Sequence, residues 1–258
     1  MKLYFKYFSM QLKSLLEYRK TFIISCVAQI ATSIFSFISI LFLFDKFGNV
    51  KGYTFDDVII CFSISFLGYA LAECFFRAFD QFDIMLGNGE FDRILVRPRN
   101  VILQVLGAKI EFAKFGRAGA ALTIFIILLL KRPEIIKGEK IITVLLMIIG
   151  TIIIYASLFI IRAGISFFTI QSLEIMNIFT DGSRDLGQYP LNIYQKWVQK
   201  FFTYILPLAL VNYYPLLYII DKTSNKFYAF IPILSIIFII PSYIIWRIGL
   251  KKYKSTGS

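Results

Sequence analysis

The sequence predicts an all-α integral membrane protein. Its elements are an amphipathic interfacial helix at the amino end, six transmembrane helices, and a proline-broken re-entrant hairpin before the last of them. Three observations predict this. The 258-residue chain is 58% hydrophobic and only 17% charged, far beyond the apolar share of a soluble domain. Several uncharged runs reach the roughly 20 residues that a helix needs to cross about 30 Å of hydrocarbon. Basic side chains gather in the first twenty positions and again at 77–117, as cytoplasmic flanks do.

Residues 1–20, "MKLYFKYFSMQLKSLLEYRK", place Leu3, Phe5, Tyr7, Phe8, Leu12, Leu15 and Leu16 between lysines at roughly helical spacing. That pattern predicts a helix lying in the cytoplasmic interface; a plain basic flank is the alternative. The stretch lacks the compact apolar core and small-residue site of a cleavable signal peptide, so the amino terminus is expected to be retained.

Spans are read at 21–44, 58–76, about 112–130, 141–161 and about 163–180. Between the second and third, residues 77–117 hold Arg77, Arg93, Arg97, Arg99, Lys109, Lys114 and Arg117, which sets this coupling region and the start of the third span on the cytoplasmic side. The loop "KRPEIIKGEK" (131–140) conflicts with that rule, since it puts four basic residues where the alternation requires the outside. The run "FFTYILPLALVNYYPLLYII" (201–220) is long enough to cross but is interrupted by Pro207, Asn212 and Pro215. If it crossed, the last span, 227–246, would deliver Arg247, Lys251, Lys252 and Lys254 to the outside. Residues 189–220 are therefore read as an extracytoplasmic hairpin whose broken backbone is covered by protein or water. The chain is read as a single membrane domain, 1–258, with no repeat or linker and with both termini cytoplasmic.

Histidine is absent, which removes the commonest transition-metal ligand and general base. Cys26, Cys61 and Cys74 fall in or beside apolar runs without paired spacing, so they read as packing residues. The net charge of +12 is scattered among membrane segments; it fits membrane orientation and anionic headgroups, and no nucleic-acid partner is expected. Among charges within spans, Glu73 and Arg77 are expected to pair along one helix face or to snorkel, and Arg117 to snorkel. Gln171, Glu174 and Asn177 recur every third residue and form a candidate stripe for a path or subunit contact, with an interhelical hydrogen bond as the other reading. Tyr204, Tyr213, Tyr214 and Tyr218 suit an outer interface belt.

Three local signatures carry a family resemblance: "GNGEFDRILVRPRN" (87–100), "YPLNIYQKWVQKFFTYILPLALVNYYP" (189–215) and "GLKKYKSTG" (249–257). With the order of elements above, the chain resembles the permease subunits of bacterial ABC type-2 transporters that are encoded separately from their ATPases. Gln195 stands where such permeases often have proline. The resemblance implies an ATP-driven exporter in the bacterial cytoplasmic membrane, a second permease, identical or related, and partner ATPase subunits that hold ATP and Mg. It also implies that the chain itself has no cofactor, catalytic residue or metal, and it carries no Gly-x-x-x-x-Gly-Lys-Ser/Thr phosphate loop.

In that light residues 78–100 become the contact through which an ATPase is coupled. Gly87 and Gly89 allow a tight reversal with positive φ, and Arg97-Pro98 ends any helix there. Between them Phe91, Ile94 and Leu95 are expected on one side, leaving Glu90, Asp92 and Arg93 for charged contacts. Pro207, Asn212, Tyr213, Tyr214 and Pro215 become a candidate outer gate. Substrates that fit are amphipathic compounds, peptides or lipid-linked molecules. The alternatives are a non-transporting sensor or scaffold bound to an ATPase and an integral-membrane lipid-modifying enzyme. The latter lacks a nucleophile-base pair or an Asp-rich metal motif.

Overall fold

A computed structural model describes residues 2–169 and 174–254, which form helices joined by short turns, with no strand among them. Helix α1 (Lys2–Glu17) leads into α2 (Arg19–Phe47) and α3 (Phe55–Asp80). Three short helices follow: α4 (Phe82–Gly87), α5 (Glu90–Leu95) and α6 (Val101–Ala108). Then come α7 (Lys114–Lys131) and α8 (Lys140–Ser166). After a stretch of short turns the chain ends in α9 (Lys196–Tyr204), α10 (Ala209–Ile219) and α11 (Phe227–Lys252). We call the end of the bundle that carries α4–α6 basal, and the opposite end, with residues 48–54 and 132–139, apical.

Helix α3 is the central post, buried along nearly all its length and packed mainly against α7 and α8. Its start is fixed by a capping box: Thr54 Oγ1 accepts from the Asp57 amide at 3.3 Å and Asp57 Oδ2 accepts from the Thr54 amide at 3.0 Å, which satisfies two of the amides a helix start leaves over. Helices α8 and α11 meet backbone to backbone. A Cβ on Gly249 would stand 2.6 Å from the Gly164 carbonyl oxygen and 2.5 Å from the Phe167 ring. Small residues at such crossings let dispersion forces hold helices together where lipid offers no hydrophobic drive. By contrast α2 buries little of its apolar surface, and Ile23, Ile24, Val27, Phe35 and Phe42 all face outward.

The apical loops are laced by ion pairs. Arg132 contacts Asp57 at 3.0 Å and Glu134 at 2.9 Å, Lys140 contacts Asp221 at 2.7 Å, and Lys226 contacts Glu139 at 2.8 Å. Hydrogen bonds from Arg132 and Lys226 hold the carboxyls of Glu134 and Glu139 below their ordinary range. The basic loop 131–140, at odds with the charge rule in sequence, thus has two of its four basic residues, Arg132 and Lys140, paired with carboxylates.

Among the described residues four or five candidate spans are found where six were expected. Helices α2, α3 continued by α4, α8 and α11 are long and apolar enough to cross a membrane, and a fifth is reached if α9 and α10, bent 95° to each other, count as one. Helix α7, the expected third span, has 18 residues and includes Lys114, Arg117 and Lys131. The expected fifth span at 163–180 is not one helix. Residues 163–166 finish α8, and the chain resumes in short pieces at Ile175–Asn177, a π-turn at Ile178–Gly182 and Ser183–Leu186. The three cysteines are free, with Cys61 and Cys74 buried.

Gly249→Leu is expected to overpack the α8–α11 crossing by about 1–3 kcal/mol. It should lower the melting temperature of the detergent-purified protein by several degrees, at about 2–4 °C per kcal/mol. Gly119→Leu, on α7 with nothing within 4 Å of its added Cβ, should leave the melting temperature unchanged.

Candidate functional site

At the basal end, α4, α5 and α6 fold back on the bundle as one platform. Only Gly89 of the two glycines needs its lack of a side chain, with φ of +68° where α4 turns into α5; Gly87 closes α4 without a positive φ. Phe91 is fully buried, its ring 5.0 Å from Phe82, 5.5 Å from Phe167 and 5.2 Å from Tyr253. Trp246 closes the cage, 5.0 Å from Phe82 and 5.1 Å from Phe167. Edge-to-face rings of this kind add to the area they bury. Tyr253 donates to Asp92 Oδ1 at 2.9 Å, and partial burial, then that hydrogen bond, pushes its phenol up to about 12. It stays a donor at neutral pH.

The outer side of the platform is polar. Glu90, Arg93, Arg97 and Pro98 are exposed, and so are Leu95 and Val96. Leu95 therefore does not share the buried side of Phe91 and Ile94, because α5 stops at Leu95, after six residues and too early for a second full turn. Helix α6 is capped by Asn100, whose Oδ1 accepts from the Leu103 amide at 3.2 Å. Gln104 ties the loop by donating to the carbonyls of Ile94 at 3.3 Å and Arg99 at 3.1 Å. Helix α1 clamps the platform through Gln11, which donates to the Gly107 carbonyl at 2.6 Å and accepts from the Ile110 amide at 2.7 Å. A recess of about 250 Å³ opens between Tyr7, Glu90, Arg93, Arg97 and Gln104.

Directly above the platform lies a buried ion cluster. Glu73 is 3% exposed and meets Lys114 at 2.8 Å and Arg117 at 2.6 Å, themselves 6% and 7% exposed. Arg77 bridges Glu73 at 3.5 Å, Glu111 at 2.8 Å and Asp80. Arg162 of α8 then reaches Asp80 at 3.1 Å and Asn177 Oδ1 at 2.8 Å. Arg117 does not snorkel. It turns inward because Glu73 on the facing helix offers an opposite charge, and the close partners of Glu73 come from α7 and not from Arg77 on its own helix.

Residues 174–193 carry the chain from this cluster to the apical end. Asn177 meets Arg162 at the base, Ser183 Oγ lies 3.5 Å from Tyr155 on α8, and Lys51 donates to the carbonyls of Asn192 at 3.3 Å and Ile193 at 3.2 Å. Midway, Tyr69 donates to Asp181 Oδ1 at 2.9 Å, and Arg184 pairs with Asp181 at 3.2 Å and Asp185 at 2.9 Å. The Gly187 carbonyl accepts from Ser65 at 2.8 Å, Cys61 at 3.3 Å and Asn212 at 3.4 Å. Asp181, Arg184 and Asp185 were missed in the sequence because charges and two glycines end the apolar run at 180. Gln171 lies outside the described residues. Glu174 is exposed ahead of the turn Ile175–Asn177, and Asn177 is held by Arg162.

Among the gate candidates, Pro207 sits in the corner between α9 and α10, and Asn212 is buried in a π-turn, Ala209–Tyr213. Pro215 is buried near the start of the α-helical part of α10, and the rings of Tyr213 and Tyr214 lie 5.3 Å apart. Tyr204 stands 81% exposed at the end of α9. Among the described residues no group of three or more His, Cys, Asp or Glu side chains is placed to hold a metal ion.

Residues 30–257 match the family model described as ABC-2 family transporter protein. No curated protein and no solved structure matches the chain.

Glu73→Gln leaves Lys114 and Arg117 facing each other without their carboxylate. It should destabilise the protein by about 3–5 kcal/mol, as breaking a buried ion pair does. Replacing Glu73, Lys114 and Arg117 together by Met should recover most of that loss. Thermal melting of the purified variants checks both, and equal melting of the single and triple variants would refute the pairing.

Proposed function

Because this chain belongs to the ABC-2 transporter family and is a membrane permease, we propose that it forms the membrane half of an ATP-driven exporter in the bacterial cytoplasmic membrane. It works with a second permease, identical or related, and with ATPase subunits carried on another polypeptide. The basal end faces the cytoplasm, with both termini on that side. The observation that carries this reading is the build of α5: anchored inward by Phe91 in its aromatic cage and presenting Glu90, Arg93 and Arg97 outward. A helix so held moves with its supports, α8 and α11 through Phe167, Trp246 and Tyr253, and α1 through Gln11. Closure of an ATPase pair against it is therefore delivered to the spanning helices.

The apical contacts support a re-entrant reading of α9 and α10. The chain leaves the apical end at Asn192, held by Lys51, and returns there at Asp221, held by Lys140. In between it bends by 95° at Pro207. A proline-broken element at the apical end supports reading α9 and α10 as the outer gate.

The test is to purify the tagged chain from its native membrane in mild detergent, beside a variant with Glu90→Lys and Arg93→Glu. A P-loop ATPase should accompany the natural chain, and about tenfold less should accompany the variant, the effect of losing about 1.4 kcal/mol of contact. Undiminished recovery with the variant would overturn the coupling role of α5. Absence of any ATPase from folded natural protein would overturn the exporter reading in favour of a free-standing membrane protein. An ATPase whose hydrolysis moves nothing would identify a sensor.

A further inference from the structure

Helices α2 and α7 touch near the basal end and leave room between them near the apical one. A Cβ on Gly116 would stand 2.6 Å from the Cys26 carbonyl oxygen, so the two backbones are in contact there. Further along, a groove of about 150 Å³ opens between them over α3. Phe55 and Ile59 of α3 form its floor, Phe37 of α2 one wall, and Ile124 and Leu128 of α7 the other. The neighbouring Ile127 and Leu130 of α7 are exposed, so the groove lies on an apolar outer surface.

Two charges interrupt this lining, Asp56 in the first turn of α3 and Lys131 in the last turn of α7. Helix α3 begins and α7 ends at this level, where hydrocarbon gives way to headgroups. Most charges of the apical end are committed. Arg132 pairs with Asp57 and Glu134, Lys140 with Asp221 and Lys226 with Glu139, while Lys51 and Lys222 are turned to the backbone carbonyls of Asn192 and Gly52. The side chains of Asp56 and Lys131 make no ion pair or hydrogen bond among the described residues, with each other or elsewhere. Nor does Asp56 serve the start of α3, which Thr54 and Asp57 already cap. The charges around them balance: Arg132 and Lys137 act on Asp57 and Glu134, and Asp45 and Lys46 close α2. The mouth of the groove therefore offers one charge of each sign in a neutral setting, which suits neither a plain anion nor a plain cation.

We propose that the groove binds a phospholipid with a primary-amine head, a phosphoethanolamine, from the leaflet at the apical end. Lys131 meets the phosphate, Asp56 accepts from the ammonium, and the apolar lining takes one acyl chain. A carboxylate selects an ammonium over a choline because only the former has N–H groups to donate. Helix α2 buries little of its own surface in the bundle, and a chain seated between α2 and α7 supplies packing that the protein does not. The inference goes beyond the exporter reading and needs only that the chain spans a membrane.

The test uses the full chain in neutral detergent and a phosphatidylethanolamine with a diazirine midway along one acyl chain. Light should fix the label in the groove, at Phe37, Ile59, Ile124 or Leu128. Unlabelled phosphatidylethanolamine should displace it about tenfold better than phosphatidylcholine or phosphatidylglycerol, the worth of one charge-assisted hydrogen bond. Asp56→Asn should abolish the preference over phosphatidylcholine. Lys131→Gln should weaken all three lipids, since each carries the phosphate, and Ile124→Trp, which fills the groove, should abolish the label there. Equal displacement by the three lipids, as expected of lipid bathing any apolar surface, would overturn the proposal. So would label found only elsewhere, stronger displacement by phosphatidylglycerol, or an undiminished preference in the folded Asp56→Asn variant. Label that enters the groove only after self-associated copies are separated would show that the second permease closes it, and that also overturns the proposal.

Discussion

The structure depends most on the burial of one carboxylate. Glu73 lies on the most enclosed helix of the bundle, and at 3% exposure its carboxylate is met by Lys114 and Arg117 from α7 and by Arg77 at 3.5 Å, without which its burial would be costly. That requirement fixes the rotation and height of α7 against α3, which apolar packing alone would leave free to slide. The same chain of charges continues through Arg77, Asp80 and Arg162 to Asn177. Helices α3, α7 and α8 and the turn at Asn177 are thereby locked in one register, immediately above the platform of α4–α6.

Two contiguous sets of contacts leave that platform. One is apolar, from Phe91 through Phe167 and Trp246 to α8 and α11; the other is ionic, from the α3 terminus through Asp80 and Arg162 to residue 177. They respond differently to force. A packed aromatic cage is close to incompressible and shifts as a body, whereas ion pairs that share acceptors can exchange partners over small distances. Contiguity does not by itself establish coupling. It does mean that a displacement of α5 is passed on, because Phe91 is fully buried in its cage and the helix is tied at Asp92 by Tyr253 and at Ile94 by Gln104.

Much of this was legible in the sequence. The uninterrupted apolar runs gave α2, α3, α8 and α11 to within a few residues, since in hydrocarbon the backbone must satisfy itself and the helix is the local way to do so. The platform was legible through Gly89, Arg97-Pro98 and the spacing of Phe91 and Ile94. What sequence reading missed is non-local. Arg117 reads as a snorkelling residue until Glu73 is known to face it, 44 positions away. Residues 181–188 fall between the span read at 163–180 and the hairpin read at 189–220, because a hydropathy window penalises charge and has no means of knowing that Tyr69 and Ser65 wait along the way. Of the six spans expected, four or five are found among the described residues, and the segment expected as the fifth is built of short turns, which have no period to detect.

The division between regular and broken elements follows from that physics. In a water-poor interior an unpaired backbone carbonyl is costly, so each break in a helix must recruit side chains from its neighbours. Gly187 recruits Ser65, Cys61 and Asn212; Leu186 recruits Tyr194; Tyr194 in turn recruits Gln199. A helix that bonds only to itself is a rigid post, but a segment whose carbonyls are bonded by its neighbours moves when they move and can be released when they turn. The posts α3 and α8 therefore supply the frame. The segment 174–193 and helices α9 and α10, by contrast, hold hydrogen bonds in common with other elements.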